Sequence, residues 1–331
     1  MTEPEPASED LTAEDLIEAI LRDRPMFTPE QAVAETGATL EQARRLWRAL
    51  GFAEYAGEQP VYTQSDAVAL RTVIESTQTG ALDFDTTVAL TRALGQTMAR
   101  LADWQVATLV GLEEFAVPGE GANSRLSAAV RLIEEVERPF EELMLYAWRR
   151  HLAAAVERVE ALGAAESSLH TTTLTIGFAD IVSFTALSNR LGEARTGDLI
   201  EQFESRCADA IARTGGRMIK SIGDSVLFVH ADPVSAVEAA EAIVELIGRD
   251  PLMPDVRIGM ATGAVTMRMG DVFGPPVNLA SRLTSVARRN RLICDQATAE
   301  LLPADRFETR EMPARPLRGF GELRPVIVRS R

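Results

Sequence analysis

The sequence predicts an α+β chain in which an all-helical first half precedes a half that mixes strands and helices. Two observations carry this. From Leu11 to about Leu162, Ala, Leu, Glu and Arg dominate at helical spacings with few β-branched runs. From Thr171 onward, short β-branched or aromatic runs appear (Thr171 to Phe178, Met218 to Ile222, Val226 to Val229, Val256 to Ala261), separated by helical patterns. The small and polar residues from Gly163 to His170 mark the change. The expected organisation is a helical domain over residues 1–138, a linker helix over 139–166 and an α+β domain over 167–331.

Within the first half, Thr28 with Gln31 and Thr39 with Gln42 read as two capping boxes flanking Gly37, which predicts a helix-turn-helix. Arg44, Arg45 and Arg48 on the second helix raise a DNA-reading function. The acidic surroundings favour a helical hairpin packed on its neighbours. After Pro139, the residues Leu145, Trp148, Leu152, Ala155, Val159 and Leu162 recur at spacings of three and four. This heptad pattern fits either an amphipathic helix lying on its own domain or a parallel dimer seam.

Composition narrows the function classes. The 331 residues are 46% apolar and 25% charged, a globular composition with length for two domains. A formal charge of -15 disfavours sequence-independent binding to nucleic acid or anionic lipid. No stretch reaches the roughly eighteen uninterrupted apolar residues of a membrane span, and Met1 to Asp15 is acidic, unlike a signal peptide. A cytoplasmic protein is expected. Cys207 and Cys294 each lie within an apolar stretch and read as buried free thiols.

The second half holds the chemistry. Asp180 closes a strand of alternating character (Leu174, Ile176, Phe178) and precedes an expected helix start in Ile181-Val182-Ser183-Phe184-Thr185. A carboxylate there can hold a hard divalent cation while the helix amino terminus receives phosphate oxygens; helix capping explains it equally well. Asp224 sits in Lys220-Ser221-Ile222-Gly223-Asp224-Ser225, where Gly-Asp is also an ordinary hairpin signal. Lys220 interrupts an apolar strand and needs solvent or a buried acceptor. Converging aspartates could bind two metal ions around a phosphate. Downstream, the Gly274-Pro275-Pro276 loop should open a helix that presents Asn278 and Arg282 on one face. A neutral donor and a fixed cation together suit a negatively charged transition state.

These residues resemble the class III nucleotidyl cyclases over about Thr171 to Val328. The resemblance implies a ferredoxin-like β-α-β-β-α-β core with extra strands and an adenylyl cyclase that converts ATP to cyclic AMP and pyrophosphate with two divalent ions, Mg2+ or Mn2+. It implies that Asp180, the Ile181 carbonyl and Asp224 bind metal, and that the backbone around Ser183, Phe184 and Thr185 meets the phosphates. Lys220 and Asp271 fall where adenine-specific members read the purine, and guanylyl cyclases usually differ at both. Asn278 and Arg282 match the pair that orients the ribose and stabilises the pentavalent phosphate. Arg318 stands where many relatives use a lysine for the terminal phosphates. The implied assembly is a head-to-tail homodimer, with Asp180 and Asp224 from one chain and Lys220, Asp271, Asn278 and Arg282 from the other. More diffusely, through Gly37 to Gly51 and Arg149 to Glu157, the first half resembles the helical regulatory domain of soluble bacterial cyclases that respond to pH. Effectors of that half would be a proton, a lipid or another small molecule. His151, beside Arg149 and Arg150, is the expected proton-responsive residue.

Overall fold

In the computed structural model, residues 13–34, 36–53, 59–110, 122–161, 171–268 and 270–331 are described. The expected boundary segment Gly163 to His170, Leu162 of the heptad pattern and most of the acidic amino terminus lie outside them. The chain divides into two compact units, Met1–Ala154 and Ala155–Arg331.

The first unit contains α1 (Ala13–Leu21), α2 (Pro29–Ala34), α3 (Leu40–Leu50), α4 (Gln64–Gln78), α5 (Phe84–Val110) and most of α6 (Ala122–Ala161). Both expected capping boxes form: Thr28 and Gln31 exchange hydrogen bonds, as do Thr39 and Gln42. A third, Thr63 with Asp66, opens α4. The core gathers Leu46, Trp47, Tyr62, Leu70, Ile74 and Val88, with Trp47 stacked on Tyr62 at 3.9 Å between centroids. At Gly95, α5 passes so close to α3 that a Cβ would lie 2.5 Å from the Leu50 backbone. Arg45 is held by Asp85 at 2.6 Å and lies over the Phe84 ring, while Arg48 faces Glu41 at 3.7 Å. Helix α3 thus packs on α5, and two of its three arginines pair with acidic residues of the same unit.

The expected linker helix does not begin at Pro139. Helix α6 runs through it, starting at Ala122. Proline removes one amide donor from a helix interior, and because Pro139 is exposed, water can satisfy the carbonyl left behind. Along the following turns Leu145, Trp148 and Leu152 are 45, 59 and 50% exposed, so nothing in the described chain covers them.

The second unit comprises β1 (Thr171–Ile181), α7 (Phe184–Leu191), α8 (Glu193–Arg213), β2 (Arg217–Ile222), β3 (Ser225–His230), α9 (Pro233–Gly248), β4 (Val256–Arg268), β5 (Asp271–Phe273), α10 (Pro275–Val286), β6 (Arg291–Cys294), α11 (Gln296–Glu300), β7 (Phe307–Glu311), β8 (Arg315–Leu317), β9 (Gly321–Leu323) and β10 (Val326–Ser330). The main sheet runs β2-β3-β1-β4-β6-β10-β7, with β5 on β4, and β8 and β9 form a separate hairpin. Its first four strands, β2-β3-β1-β4, have the antiparallel order of a ferredoxin-like core, as expected.

Strand alternation gives the sheet two apolar faces. Ala179, Ile181, Val226, Phe228, Ile258 and Met260 pack under α8 and α9. Ile176, Phe178, Leu227, Val229, Ala261 and Val265 face the other way, toward α10. Helix α10 approaches β4 over glycines: a Cβ on Gly259 would lie 2.2 Å from the Thr284 nitrogen, and one on Gly263 2.8 Å from Pro276. Cys207 and Cys294 are buried free thiols, as read. His230, the last residue of β3, is buried, and burial pushes its ring pKa down to about 4. Among the described residues no helix is long and apolar enough to cross a membrane.

Because backbone rather than a flexible side chain meets the added methyl, Gly259→Ala should lower the stability of the second unit by about 2 kcal/mol or more in urea unfolding, the range of core overpacking.

Candidate active site

Asp180 does not close its strand. It sits one residue inside the end of β1, which extends to Ile181, and the cap of α7 is Ser183, two residues past that end. The capping explanation of Asp180 therefore fails. Its side chain is 12% exposed on the α10-facing side of the sheet, and a buried carboxylate requires partners. Both neighbouring strands supply one: register places Ser225 of β3 and Arg257 of β4 directly opposite. The Ser225 hydroxyl donates to Oδ1, and the Arg257 guanidinium reaches Oδ2 with Nε at 2.7 Å and Nη2 at 2.6 Å.

The same pairing brings in Asp224. The tight β2–β3 turn passes through Gly223, whose φ of 62° is left-handed, and the Ile181 amide donates to the Asp224 carbonyl at 3.1 Å. The next amide, Val182, donates to the Asp255 carbonyl at 2.8 Å. These bonds fix the β1–α7 bend between two loops. The Asp224 carboxyl is held above the ordinary carboxylate range, first by burial and then by the charge of Asp180; its own backbone amide and the Arg257 guanidinium oppose the shift. Among the described residues no group of three or more His, Cys, Asp or Glu is arranged to hold a metal ion. An ion at this bend would rest on two carboxylates, completed by backbone, phosphate and water oxygens, a donor set that suits a hard divalent cation.

Ser183 adopts a left-handed φ of 59° and makes no side-chain cap. The first amides of α7, at Phe184 and Thr185, thus open beside the aspartates at the positive end of the helix.

The acceptor that meets Lys220 is Asp271, and both side chains are partly exposed. A bulge between Met218 and Lys220 sets the lysine on the α10-facing side, and its Nζ pairs with Asp271 Oδ2 at the start of β5. Asp271 Oδ1 also accepts from the Val272 amide at 2.9 Å, which fixes the carboxylate plane. Helix α10 begins at Pro275 after Gly274, as the Gly-Pro-Pro loop predicted, and Asn278 and Arg282 are exposed along it. Arg318 occupies the exposed turn between β8 and β9. His151 is exposed on α6. The structure thus joins Asp180 with Asp224, and Lys220 with Asp271; it records no contact linking Asn278, Arg282 or Arg318 to either pair.

Sequence reasoning missed Arg257 and Ser225. The signal for Arg257 was available, since Val256-Arg257-Ile258-Gly259 places a cation inside an apolar strand just as Lys220 does. Ser225 carried no signal apart from adjacency to Asp224.

A family model described as the adenylate and guanylate cyclase catalytic domain matches residues 167–329. An adenylate cyclase of Streptomyces coelicolor (strain ATCC BAA-471 / A3(2) / M145) is 38% identical, with 99% of this chain and 94% of the relative aligned. One of Streptomyces griseus is 40% identical over 83% of this chain and 68% of the relative. A pH-sensitive adenylate cyclase of Mycobacterium tuberculosis (strain CDC 1551 / Oshkosh) is 30% identical over 88% and 75%.

The raised Asp224 carboxyl predicts a stability effect with a definite sign. The folded chain keeps this proton to higher pH than the unfolded chain, so ionisation opposes folding above the unfolded value near 3.8. Asp224→Asn should stabilise the metal-free protein at pH 7 by less than about 1 kcal/mol after solvent screening, seen as a higher melting temperature. The gain should vanish in melts near pH 3.

Proposed function

The chain belongs to the adenylate and guanylate cyclase family, and on that premise we propose that it converts ATP to 3′,5′-cyclic AMP and pyrophosphate. The observation that carries the choice of purine is the Lys220–Asp271 ion pair. Adenine presents an exocyclic amine donor beside the N1 acceptor. A carboxylate accepts from the amine while the lysine donates to N1, and the pair holds both groups in place before the base arrives. Guanine presents the reverse, an oxygen acceptor beside an N1 donor, and would set like against like.

The remaining roles follow from chemistry and position. Asp180, Asp224 and the Ile181 carbonyl would hold the divalent ions, Mg2+ or Mn2+. When bound, those ions lower the pKa of the ribose 3′-hydroxyl and offset the charge on the departing pyrophosphate. The α7 amides at Phe184 and Thr185, reached through the Ser183 bend, receive phosphate oxygens. Asn278 orients the ribose, and Arg282, one helical turn on, stabilises the charge that develops at the α-phosphorus during in-line attack. Arg318 contributes a forked cation for the terminal phosphates.

A complete site in this reading forms between two chains, Asp180 and Asp224 of one facing Lys220, Asp271, Asn278 and Arg282 of the other. The exposure of Asn278 and Arg282 supports it, as do the half-exposed apolar residues beside the two pairs, Ile222 and Phe273. The uncovered Leu145, Trp148 and Leu152 of α6 supply a second contact. In this organisation residues 1–138 regulate, 139–166 connect and 167–331 catalyse, with protonation of His151 shifting the dimer between inhibited and active arrangements. A cytoplasmic setting fits a substrate of this kind.

The test is cyclic nucleotide formation by the full chain from ATP and from GTP with Mn2+ or Mg2+. Wild type should make cyclic AMP, and Asp180→Asn or Arg282→Ala should lose at least about a hundredfold in kcat, the scale of removing one transition-state donor. The double variant Lys220→Glu with Asp271→Lys keeps the ion pair but exchanges donor and acceptor. Its preference for ATP over GTP should fall at least about tenfold, since a matched pair of base-edge bonds is worth roughly 1–3 kcal/mol. An unchanged preference would overturn the assignment of purine readers; bound nucleotide without cyclic product would make the protein a sensor.

A further inference from the structure

Arg257 stands where a cation is wanted. It lies opposite Asp180 across the β1–β4 pairing and puts two nitrogens on Oδ2, while Ser225 takes Oδ1. Both oxygens of the carboxylate are therefore engaged. The guanidinium's remaining anchor is slight, a 3.2 Å bond from Nη1 to the Ser285 carbonyl, and the side chain is 30% exposed. An arginine so placed can swing outward by rotamer change without moving β4.

We infer that Arg257 competes with metal for Asp180 and thereby couples metal binding to nucleotide binding. The inference rests on the reading of Asp180 and Asp224 as metal ligands. A divalent ion arriving alone must displace the guanidinium from Oδ2 and leave it beside a second positive charge. A nucleotide arriving alone would draw the guanidinium toward its phosphates and leave Asp180 buried without its counter-charge. Together the two ligands satisfy every group: the ion takes the carboxylates and the released arginine takes phosphate oxygens. Each therefore strengthens the binding of the other, and by linkage to the same extent.

The experiment is Mn2+ binding to the full chain without nucleotide, followed by electron paramagnetic resonance of the free ion. Wild type should bind weakly. Arg257→Gln should bind roughly tenfold more tightly, the scale expected for removing a competing charge at a partly exposed contact. In the same variant, 2′,3′-dideoxy-ATP, which has no hydroxyl to attack, should enhance Mn2+ affinity by a clearly smaller factor than in wild type, the remainder being direct phosphate coordination of the ion. Arg289→Gln removes a nearby charge paired with Asp255 rather than Asp180 and should change the affinity less than about twofold, because screening limits a non-contacting charge. Should Arg257→Gln fail to fold, Arg257→Lys keeps the charge, loses the two-nitrogen grip and should tighten Mn2+ binding about threefold. Unchanged or weaker Mn2+ binding in the Arg257 variants, or an equal effect from Arg289→Gln, would overturn the inference. Asp180→Asn tests the underlying reading separately: if that variant binds Mn2+ as wild type does, the metal assignment itself fails whatever the Arg257 variants do.

Discussion

A carboxylate placed inside a sheet has to be answered on every side, and the geometry around Asp180 follows from that requirement. Leaving such a charge buried without partners would cost several kcal/mol, enough to consume a large part of a domain's stability. Register alone answers it. With β1 between β3 and β4, one pairing brings Ser225 and the other brings Arg257. The same pairing delivers Asp224, which occupies the turn leading into Ser225, and ties its carbonyl to the Ile181 amide. A one-residue slip of β3 would separate the two aspartates and turn Ser225 to the opposite face.

The sheet can carry polar machinery on one side because the other side supplies most of its apolar burial. Helices α8 and α9 cover one face with Phe203, Ile211, Ile243 and Ile247, all essentially inaccessible. On the opposite face α10 lies so close over Gly259 and Gly263 that its packing needs little side-chain volume from β4. The outer turns of α10 are then left to carry Asn278 and Arg282 in the open.

Much of this was legible in the sequence where a residue type contradicted its surroundings. Lys220 in an apolar strand demanded an acceptor, and Asp271 is that acceptor. The turn at Gly223, the helix start after Gly-Pro-Pro and the capping boxes were readable because each depends on residues within four positions of one another. Arg257 contradicted its strand just as plainly, but its meaning depended on Asp180, 77 residues away, and only strand pairing brings the two together. Strand ends were read short: β4 runs on through Thr262-Gly263-Ala264 to Arg268, where small residues hid a continuing ladder. The linker helix was expected to start at residue 139, but solvent at Pro139 can meet the carbonyl left without a donor, and α6 continues through it.

Helix α6 carries large apolar side chains around much of its circumference, with Leu143, Tyr146, Trp148 and Val156 all more than half exposed. If two such helices meet in the assembly proposed above, the number of complete sites becomes a matter of mass action. In dilute solution that number grows with the square of the chain concentration, so doubling the amount of protein would quadruple output. Abundance then acts as an input in its own right: a cell could silence this signal by dilution alone, without altering a single residue.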